Sequence, residues 1–234
     1  MYPIAILAGG LAKRLHPITQ NLPKSLVTVA GKPFIWWQLH YLRQQQIQQV
    51  VLCTGHMGEM IQQVVQHGQE FGLHVQYSPD GPALRGTGGA IKNALPLLGE
   101  RFFVLYGDSF LPIDFAAVQQ AYESDQSAAL MTVLRNQDQW DKSNVIFENS
   151  TLKNYNKHMP SPEMTHIDYG LAILTAKIFE SYVGVTAFDL ADVYEKLAQN
   201  KELKGYEVFE RFYEIGSHQG LKETEEFLLK WNPL

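Results

Sequence analysis

The first half of the chain alternates short apolar runs with segments of helical periodicity. Apolar or alternating runs predict strands over residues 4–7, 50–53, 73–77 and 102–106. Apolar residues at helical spacing predict intervening helices that begin near residue 33, occupy 60–65 and occupy 89–95. Strands that alternate with helices indicate an α/β fold, with a Rossmann-like, mostly parallel sheet flanked by helices. Ligands of such sheets bind at the carboxyl ends of the strands.

The alternation is looser in the second half. Short apolar runs separated by polar turns predict strands over 128–134, 144–147, 152–155 and 167–174. We expect them to extend the sheet and to add a small antiparallel flap. Asp189 is a good N-cap for a helix that contains Val193 and Leu197, and a last helix is predicted over 221–230. Since no repeat or Pro/Ser-rich linker interrupts the chain, residues 1–234 are interpreted as a single domain.

Composition narrows the class of protein. The 234 residues are 45% hydrophobic with a net charge of −5, so disorder and nucleic-acid partners are not expected. The single cysteine, Cys53, lies in an apolar run, which predicts a buried thiol with no internal disulfide. No apolar run approaches the ~18 residues of a membrane span. These features predict a cytoplasmic protein without a membrane partner, and they leave homo-oligomer formation open.

A glycine-rich loop follows the first strand. Leu7 and Ala8 lead into Gly9 and Gly10, which allow backbone N–H groups to approach an anion or a base edge closely, and Lys13 and Arg14 add positive charge. The spacing is neither that of a P-loop nor that of a dinucleotide-binding turn. Taken alone, the loop could equally be a strand-to-helix turn with solvated cations.

The residues that follow make a more specific pattern. The sequence resembles the sugar-1-phosphate nucleotidyltransferases, whose N-terminal signature is a Gly-rich loop with an Arg, then Pro-x-Thr, Pro-Lys and Lys-Pro. The matching positions are Gly9, Gly10, Arg14, Pro17, Thr19, Pro23, Lys24, Lys32 and Pro33. The resemblance implies a nucleotide-diphospho-sugar transferase fold, with a nucleoside triphosphate and a sugar 1-phosphate as substrates.

A second glycine motif resembles the base- and ribose-recognition loop of that family. Gly86, Thr87 and Gly88 stand where the family has Gly-Thr-x-Gly-Ala. The Thr87 hydroxyl and helix N–H groups would serve as donors to the nucleotide. The resemblance thus implies nucleotide contacts from Leu7, Ala8, Gly9, Gly10, Lys13, Gly86, Thr87 and Gly88. A flexible helix N-terminus is the alternative interpretation.

Two acidic residues match the family's metal-binding positions. Asp108 comes directly after the strand over 102–106, and the corresponding family residue carries Mg²⁺. Glu214 stands where the family has an Asp in a W-x-D-x-G motif; it is one methylene longer and would bind Mg²⁺ directly or through water. Alone, Asp108 would equally be a turn-capping residue.

The acceptor site is implied by two further elements. Asn156 and Lys157 resemble the family's Glu-Lys pair, with Lys157 on the 1-phosphate and Asn156 on sugar hydroxyls. Asp168 and Gly170 resemble its Asn-x-Gly strand, which lines the sugar. A solvated Lys157 and a paired strand carboxylate at Asp168 remain the alternatives.

The implied reaction is attack of a sugar-1-phosphate oxygen on the α-phosphorus of a nucleoside triphosphate. Arg14 would stabilise the leaving phosphates, Lys24 the α- and acceptor phosphates, and Asp108 with Glu214 would hold Mg²⁺. The short form of the chain, the run Gly-Thr-Gly-Gly-Ala-Ile-Lys over 86–92 and the closing Ile-Gly-Ser-x-x-Gly-Leu-x-x-Thr over 215–224 resemble enzymes that guanylylate D-glycero-D-manno-heptose or mannose 1-phosphate for bacterial surface polysaccharides.

Other functions remain open from the sequence. The segment 77–81 is also similar to N-acetylmuramate-1-phosphate uridylyltransferases. Two other classes compete: a nicotinamide-dependent dehydrogenase, which lacks its glycine fingerprint here, and a catalytically silent homologue, for which the substitutions at Glu214, Asn156 and Asp168 leave room.

Overall fold

The computed structural model describes residues 1–11, 13–125 and 127–231, and the side chains of all of these except Lys13 and Asp125. Its helices are α1 Phe34–Gln44, α2 Gly58–Val65, α3 Gly86–Leu98, α4 Phe115–Asp125, α5 Leu190–Gln199 and α6 His218–Leu228. Its longer strands are β1 Ile4–Leu7, β4 Gln49–Thr54, β5 His74–Pro79, β6 Arg101–Tyr106, β8 Ala129–Arg135, β9 Val145–Glu148, β10 Thr151–Tyr155, β11 His166–Thr175 and β12 Leu203–Val208. Two-residue strands are β2 Thr28–Val29, β3 Lys32–Pro33, β7 Ser109–Phe110 and β13 Tyr213–Glu214.

In the described part of the chain, nine strands form one mixed sheet. Strands β6, β1, β4 and β5 are adjacent and parallel, in register from Ile4 opposite Val50 and Phe103. Strand β11 joins this half antiparallel to β6, and β8 pairs antiparallel with β11 and parallel with β12. The β9–β10 hairpin is attached at the start of β11. The predicted α/β fold with added antiparallel strands is confirmed.

Helices cover both faces of the sheet. Ile4 and Ile6 of β1 pack on the side of α1, α2 and α4, whereas Ala5 packs on the side of α3 and α5, because successive strand side chains point to opposite faces. Both faces of β1 are therefore buried, as its continuous apolar run predicts. Cys53 is 1% exposed within the second face and is a free thiol, as expected.

The sequence analysis did not predict α4, β12 or the two-residue strands. Strand β12 has the sequence LKGYEV, whose polar residues hide the strand signal, and it is fixed instead by its parallel pairing with β8. Among the described residues no helix has both the length and the apolar character needed to span a bilayer.

Candidate active site

A cavity of about 270 Å³ opens at the carboxyl ends of β1, β4, β5 and β6. Six of the predicted nucleotide-binding residues line it: Leu7, Ala8, Gly9, Gly10, Gly86 and Thr87. The Lys13 side chain, also predicted to bind nucleotide, lies outside what the structure describes. The cavity is where an open parallel sheet is expected to bind its ligand.

Close approach between backbones explains two glycines beside this cavity. A Cβ on Gly107 would lie 2.5 Å from the Leu7 carbonyl oxygen, and one on Gly9 would lie 3.0 Å from the Gly55 nitrogen. The loops after β6, β1 and β4 therefore touch through main chain alone. This contact brings Asp108, the next residue after Gly107, against the glycine loop.

The start of α3 is held by residues from the segment before α5. Gly86 has φ +68°, and a Cβ on Gly88 would lie 2.5 Å from the Phe188 ring, so Gly88 is required by packing and does not line the cavity. The Thr87 hydroxyl donates to Asp189 Oδ1 at 2.8 Å and accepts from the Leu190 N–H at 2.8 Å. Its single proton is therefore committed inside the protein, which corrects the expectation that it donates to the nucleotide.

Lys24 and Asp108 form an ion pair at the edge of the cavity. Lys24 begins the 3₁₀ turn Lys24–Leu26, and its Nζ donates to Asp108 Oδ2 at 2.8 Å. Both side chains are largely buried, with 17% and 30% exposed. These two predicted catalytic residues are 84 positions apart in sequence and are brought into direct contact.

Glu214 lies beside this pair because β13 pairs with β7. Glu214 is opposite Ser109 in that ladder, and the Ile215 N–H donates to the Asp108 carbonyl oxygen at 2.9 Å. The Glu214 carboxylate accepts from the Ser217 hydroxyl at 2.8 Å and from the Gly216 N–H. The two-stranded ladder of β7 and β13 thus brings Glu214 next to the segment that carries Asp108.

The carboxylates of Asp108 and Glu214 are suitable ligands for Mg²⁺. Asp108 and Glu214 supply hard carboxylate oxygens, and Mg²⁺ is commonly held by one or two carboxylates together with substrate phosphates. The described residues include no group of three or more His, Cys, Asp or Glu side chains that could hold a metal ion by themselves. An ion here would therefore need oxygens from a bound phosphate ligand.

A second cavity, of about 520 Å³, adjoins the first and shares Tyr106 and Asp108 with it. Of the predicted residues it is lined by Arg14, Lys157, Asp168, Gly170 and Glu214. Arg14 therefore faces the second cavity near the Glu214 loop: a Cβ on Gly216 would lie 3.2 Å from Arg14 Nη2 and 3.4 Å from Lys24 Nζ.

Asp168 is a partly buried carboxylate in the wall of this second cavity. The register of β11 against β8 shifts between Asp168 and Ala172, and Gly170 within the shift has φ +107°. The Gly170 N–H donates to Asp168 Oδ1 at 3.0 Å, and the Tyr106 hydroxyl lies 3.4 Å from Oδ2. Burial raises the pKa of Asp168 to about 6, against the opposing effects of the Gly170 N–H, the Lys157 charge and the Tyr106 hydroxyl.

Asn156 does not line either cavity. Its side-chain oxygen accepts from the N–H groups of His158 and Met159, at 3.0 and 2.7 Å, and its amide nitrogen donates to Glu195 Oε1 at 3.0 Å. The side chain is therefore occupied in shaping the loop after β10. Its position does not support the predicted contact with sugar hydroxyls, a role that the pattern of neighbouring residues alone suggested.

The sequence analysis did not single out three polar side-chain atoms that are buried in the cavity walls without a hydrogen bond. Among the described side chains, Ser25 Oγ and Asp80 Oδ1 are buried in the wall of the first cavity and Tyr155 Oη in that of the second, each without a hydrogen bond. Buried polar groups are normally paired, so these three atoms are exceptions among the described side chains. No comparable sequence signal marked Asp80, because β5, the edge strand before it, is buried at only two of its six positions.

Comparisons with known proteins agree with this geometry. A family model described as "Nucleotidyl transferase" matches residues 4–145. The N-acetylmuramate alpha-1-phosphate uridylyltransferase of Neisseria meningitidis serogroup B is 39% identical over 51% of this chain, a match that spans about half (52%) of that protein. The D-glycero-alpha-D-manno-heptose 1-phosphate guanylyltransferase of Campylobacter jejuni is 31% identical over 82% of this chain and 86% of that protein.

A solved structure shows the same fold. HddC from Yersinia pseudotuberculosis, solved with GMP-PN, superposes with a TM-score of 0.80 at 24% identity, covering 97% of this chain and all (100%) of that one. The family match extends over most of the parallel half of the sheet and includes the glycine loop, Lys24, the α3 motif and Asp108. The chain belongs to the nucleotidyl transferase family and is a sugar-1-phosphate nucleotidyltransferase.

Proposed function

We propose that the protein transfers a guanylyl group from GTP to the phosphate of a heptose-like or mannose-like sugar 1-phosphate, with Mg²⁺ as cofactor. The observation that carries the proposal is the meeting of the two cavities at Asp108, with Lys24 bonded to that carboxylate. Guanine and heptose are supported by the Campylobacter relative, which matches most of both chains and is named for that reaction.

The chemistry follows from the charges around that junction. A sugar-1-phosphate oxygen is already anionic, so its attack on the α-phosphorus needs no general base. The bond from the α-phosphorus to the bridging oxygen breaks, and its electron pair leaves on pyrophosphate. Lys24 at the junction and Arg14 and Lys157 in the second cavity reduce repulsion between the two phosphate groups.

Asp108 and Glu214 would hold the Mg²⁺ ion, which would neutralise charge on the triphosphate when bound. Lys24 Nζ, which donates to Asp108 Oδ2, would also donate to phosphate oxygens of a ligand bound at the junction. Asp168 and Tyr155 of the second cavity are then available to sugar hydroxyls.

A uridylyltransferase that acts on an amino-sugar 1-phosphate is the second candidate. It is favoured by the Neisseria relative, whose identity is higher but whose match is confined to about half of each protein. Since that match covers only about half of each protein, it says less about the whole reaction than the Campylobacter match does.

Pyrophosphate release tests the proposal directly. The four nucleoside triphosphates are each paired with the 1-phosphates of heptose, mannose, glucose and N-acetylmuramate, with Mg²⁺ and then with EDTA. The expected result is Mg²⁺-dependent turnover of GTP with heptose or mannose 1-phosphate. A preference for UTP with N-acetylmuramate 1-phosphate would instead establish the second candidate, and no turnover with any pair would indicate a silent homologue.

Substitutions at the junction test the assigned roles. Lys24→Ala and Asp108→Asn are each expected to lower kcat by about 100-fold or more, because they remove charge from the reacting phosphates or their metal. Lys222→Ala, at an exposed residue of α6, is the matched control and should leave kcat unchanged. An Asp108→Asn enzyme with full activity would rule out the metal assignment.

A further inference from the structure

A buried glutamine contacts the backbone on both sides of Asp108. Gln38 lies on the buried face of α1 and is 2% exposed. Its Nε2 donates to the Tyr106 carbonyl oxygen at 3.1 Å and to the Ser109 carbonyl oxygen at 2.8 Å. These carbonyls belong to the last residue of β6 and the first residue of β7, and the turn between the two strands carries Asp108. One side chain thus joins the two ends of that turn.

The orientation of the Gln38 amide follows from its partners. Both are carbonyl oxygens, so only the amide NH₂ group can bond to them, and a rotated amide would set its oxygen against two acceptors. Within the part of the chain that the structure describes, Gln38 Oε1 is buried without a hydrogen bond. An amide in a helix core is unfavourable unless its hydrogen bonds are made, so the two bonds to the turn offset the burial of this side chain.

Two main-chain hydrogen bonds hold the same turn from other directions. The Gly107 N–H donates to the Leu7 carbonyl oxygen at 3.1 Å, which ties the turn to β1. The Asp108 carbonyl oxygen accepts from the Ile215 N–H at 2.9 Å, which ties it to the residue after β13. The contact from α1 is made by a side chain, so a substitution of Gln38 can remove it while both main-chain bonds remain possible.

The turn belongs to the wall that the two cavities share. Tyr106 and Asp108 line both cavities, and Ser109 lines the second, whereas Gln38 lines neither. The carboxylate of Asp108 also fixes Lys24, whose Nζ lies 2.8 Å from Asp108 Oδ2. Since a displacement of about 1 Å at a reacting group can lower a rate by about 100-fold, the position of this carboxylate matters for the phosphates placed at the junction.

We propose that Gln38 is a positioning residue for nucleotidyl transfer, which holds the Asp108 carboxylate at the junction of the cavities by fixing the backbone before and after it. The inference rests on the proposed function, since that function places the reacting phosphates at Asp108. Gln38 touches neither substrate, and its effect on the reaction is exerted through Asp108.

The first test is Gln38→Met, which keeps the length of the side chain and removes both donors. We expect kcat to fall by about 10- to 100-fold, with KM for both substrates within about threefold of the wild-type values. The reason is that the carboxylate moves relative to the reacting phosphates while each substrate keeps its other contacts. Pyrophosphate release is measured with the substrate pair that the wild-type enzyme turns over fastest, so the test does not depend on the identity of base or sugar. An unchanged kcat would overturn the proposal.

A double-mutant cycle separates positioning of Asp108 from a general loss of stability. In an Asp108→Asn background, Gln38→Met should lower kcat by less than about twofold, because the carboxylate through which Gln38 acts has been removed. A merely structural role predicts the same loss in both backgrounds, and that result would contradict the proposal.

Gln45→Met is the matched control. Gln45 directly follows α1, and its Oε1 accepts from the Phe115 N–H at 2.9 Å, so this variant also removes a long-range hydrogen bond of a glutamine but should leave kcat unchanged. If Gln38→Met does not fold, Gln38→Asn replaces it, because its shorter amide cannot reach both carbonyl oxygens from the same backbone position. It should lower kcat by about threefold or more, again only when Asp108 is present.

The outcomes for the two proposals are distinguishable. A wild-type enzyme that prefers another base or sugar would overturn the proposed function, while the cycle with its preferred substrates would still decide the role of Gln38. Absence of turnover by the wild type with every pair would overturn both.

Discussion

At the scale of single residues, the ionised carboxylate of Asp168 lowers the stability of the folded protein. Its carboxylate is held inside the second cavity by the Gly170 N–H and the Tyr106 hydroxyl, and burial raises its pKa to about 6. Because the pKa of this acid is higher in the folded than in the unfolded chain, its ionisation destabilises the fold, and the loss grows as pH rises between about 4 and 6.

Asp168→Asn is therefore expected to stabilise the protein in a pH-dependent way. Removal of the buried charge should raise the free energy of unfolding by up to about 3 kcal/mol at pH 8, and by roughly half of that at pH 5, where the folded carboxyl is mostly protonated. Urea denaturation at the two pH values measures the difference. Glu59→Gln, which removes an exposed carboxylate from α2, is the control and should show no such dependence. An equal gain for Asp168→Asn at both pH values would contradict the buried-charge explanation.

At the scale of elements, the junction between α3 and the segment before α5 positions one wall of the first cavity. The Thr87 hydroxyl joins Asp189 and the Leu190 N–H, while Gly88 lies against the Phe188 ring. Asp189 in turn caps α5 by accepting from the Ala191 N–H at 2.9 Å, as the sequence predicted. A glycine motif that resembles a ligand-binding loop thus also serves helix packing.

Gly88→Ala tests this packing role. Its Cβ would lie 2.5 Å from the Phe188 ring, so we expect a loss of about 1–3 kcal/mol in stability. The double variant Gly88→Ala/Phe188→Leu should recover part of that loss, as a double-mutant cycle by thermal denaturation would show. Gly10→Ala is the control for folding, since nothing lies within 4 Å of its Cβ position. Additive losses at Gly88 and Phe188 would refute the contact.

At the scale of the whole molecule, two cavities from different parts of the sheet meet at one residue pair. The first is built on the parallel half and the second on β11, β10 and the loop before α6, and they share Tyr106 and Asp108. In the proposed reaction the two substrates would therefore be bound at the same time, one in each cavity, with their phosphates near Asp108.

This arrangement predicts direct transfer with a ternary complex. Initial rates measured at several fixed concentrations of each substrate should give intersecting double-reciprocal lines. A parallel pattern, together with a labelled enzyme after incubation with the nucleotide alone, would instead indicate a covalent nucleotidyl-enzyme and would contradict direct transfer. The same measurement on Lys222→Ala should reproduce the wild-type pattern.

Much of the fold and part of the site could be predicted from local sequence. The buried strands β1, β4 and β6 are encoded by continuous apolar runs, and the glycine loop with Lys24 by fixed spacing over a short segment. Strand β12 escaped prediction because its pairing with β8, rather than its own pattern, holds it in the sheet. Asp80 was not singled out, because the strand before it, β5, lacks the continuous burial that β6 shows before Asp108.

By itself, the sequence determined the layered α/β architecture and the chemical character of the site. Both are encoded locally, because apolar periodicity and short motifs involve residues that lie close together in the chain. Only the tertiary structure decided which polar groups are free for ligands. The Thr87 hydroxyl and Asn156 amide are taken by distant partners, and Lys24 is bonded to Asp108. Such partnerships depend on segments that lie far apart in the chain and meet only when the sheet is assembled.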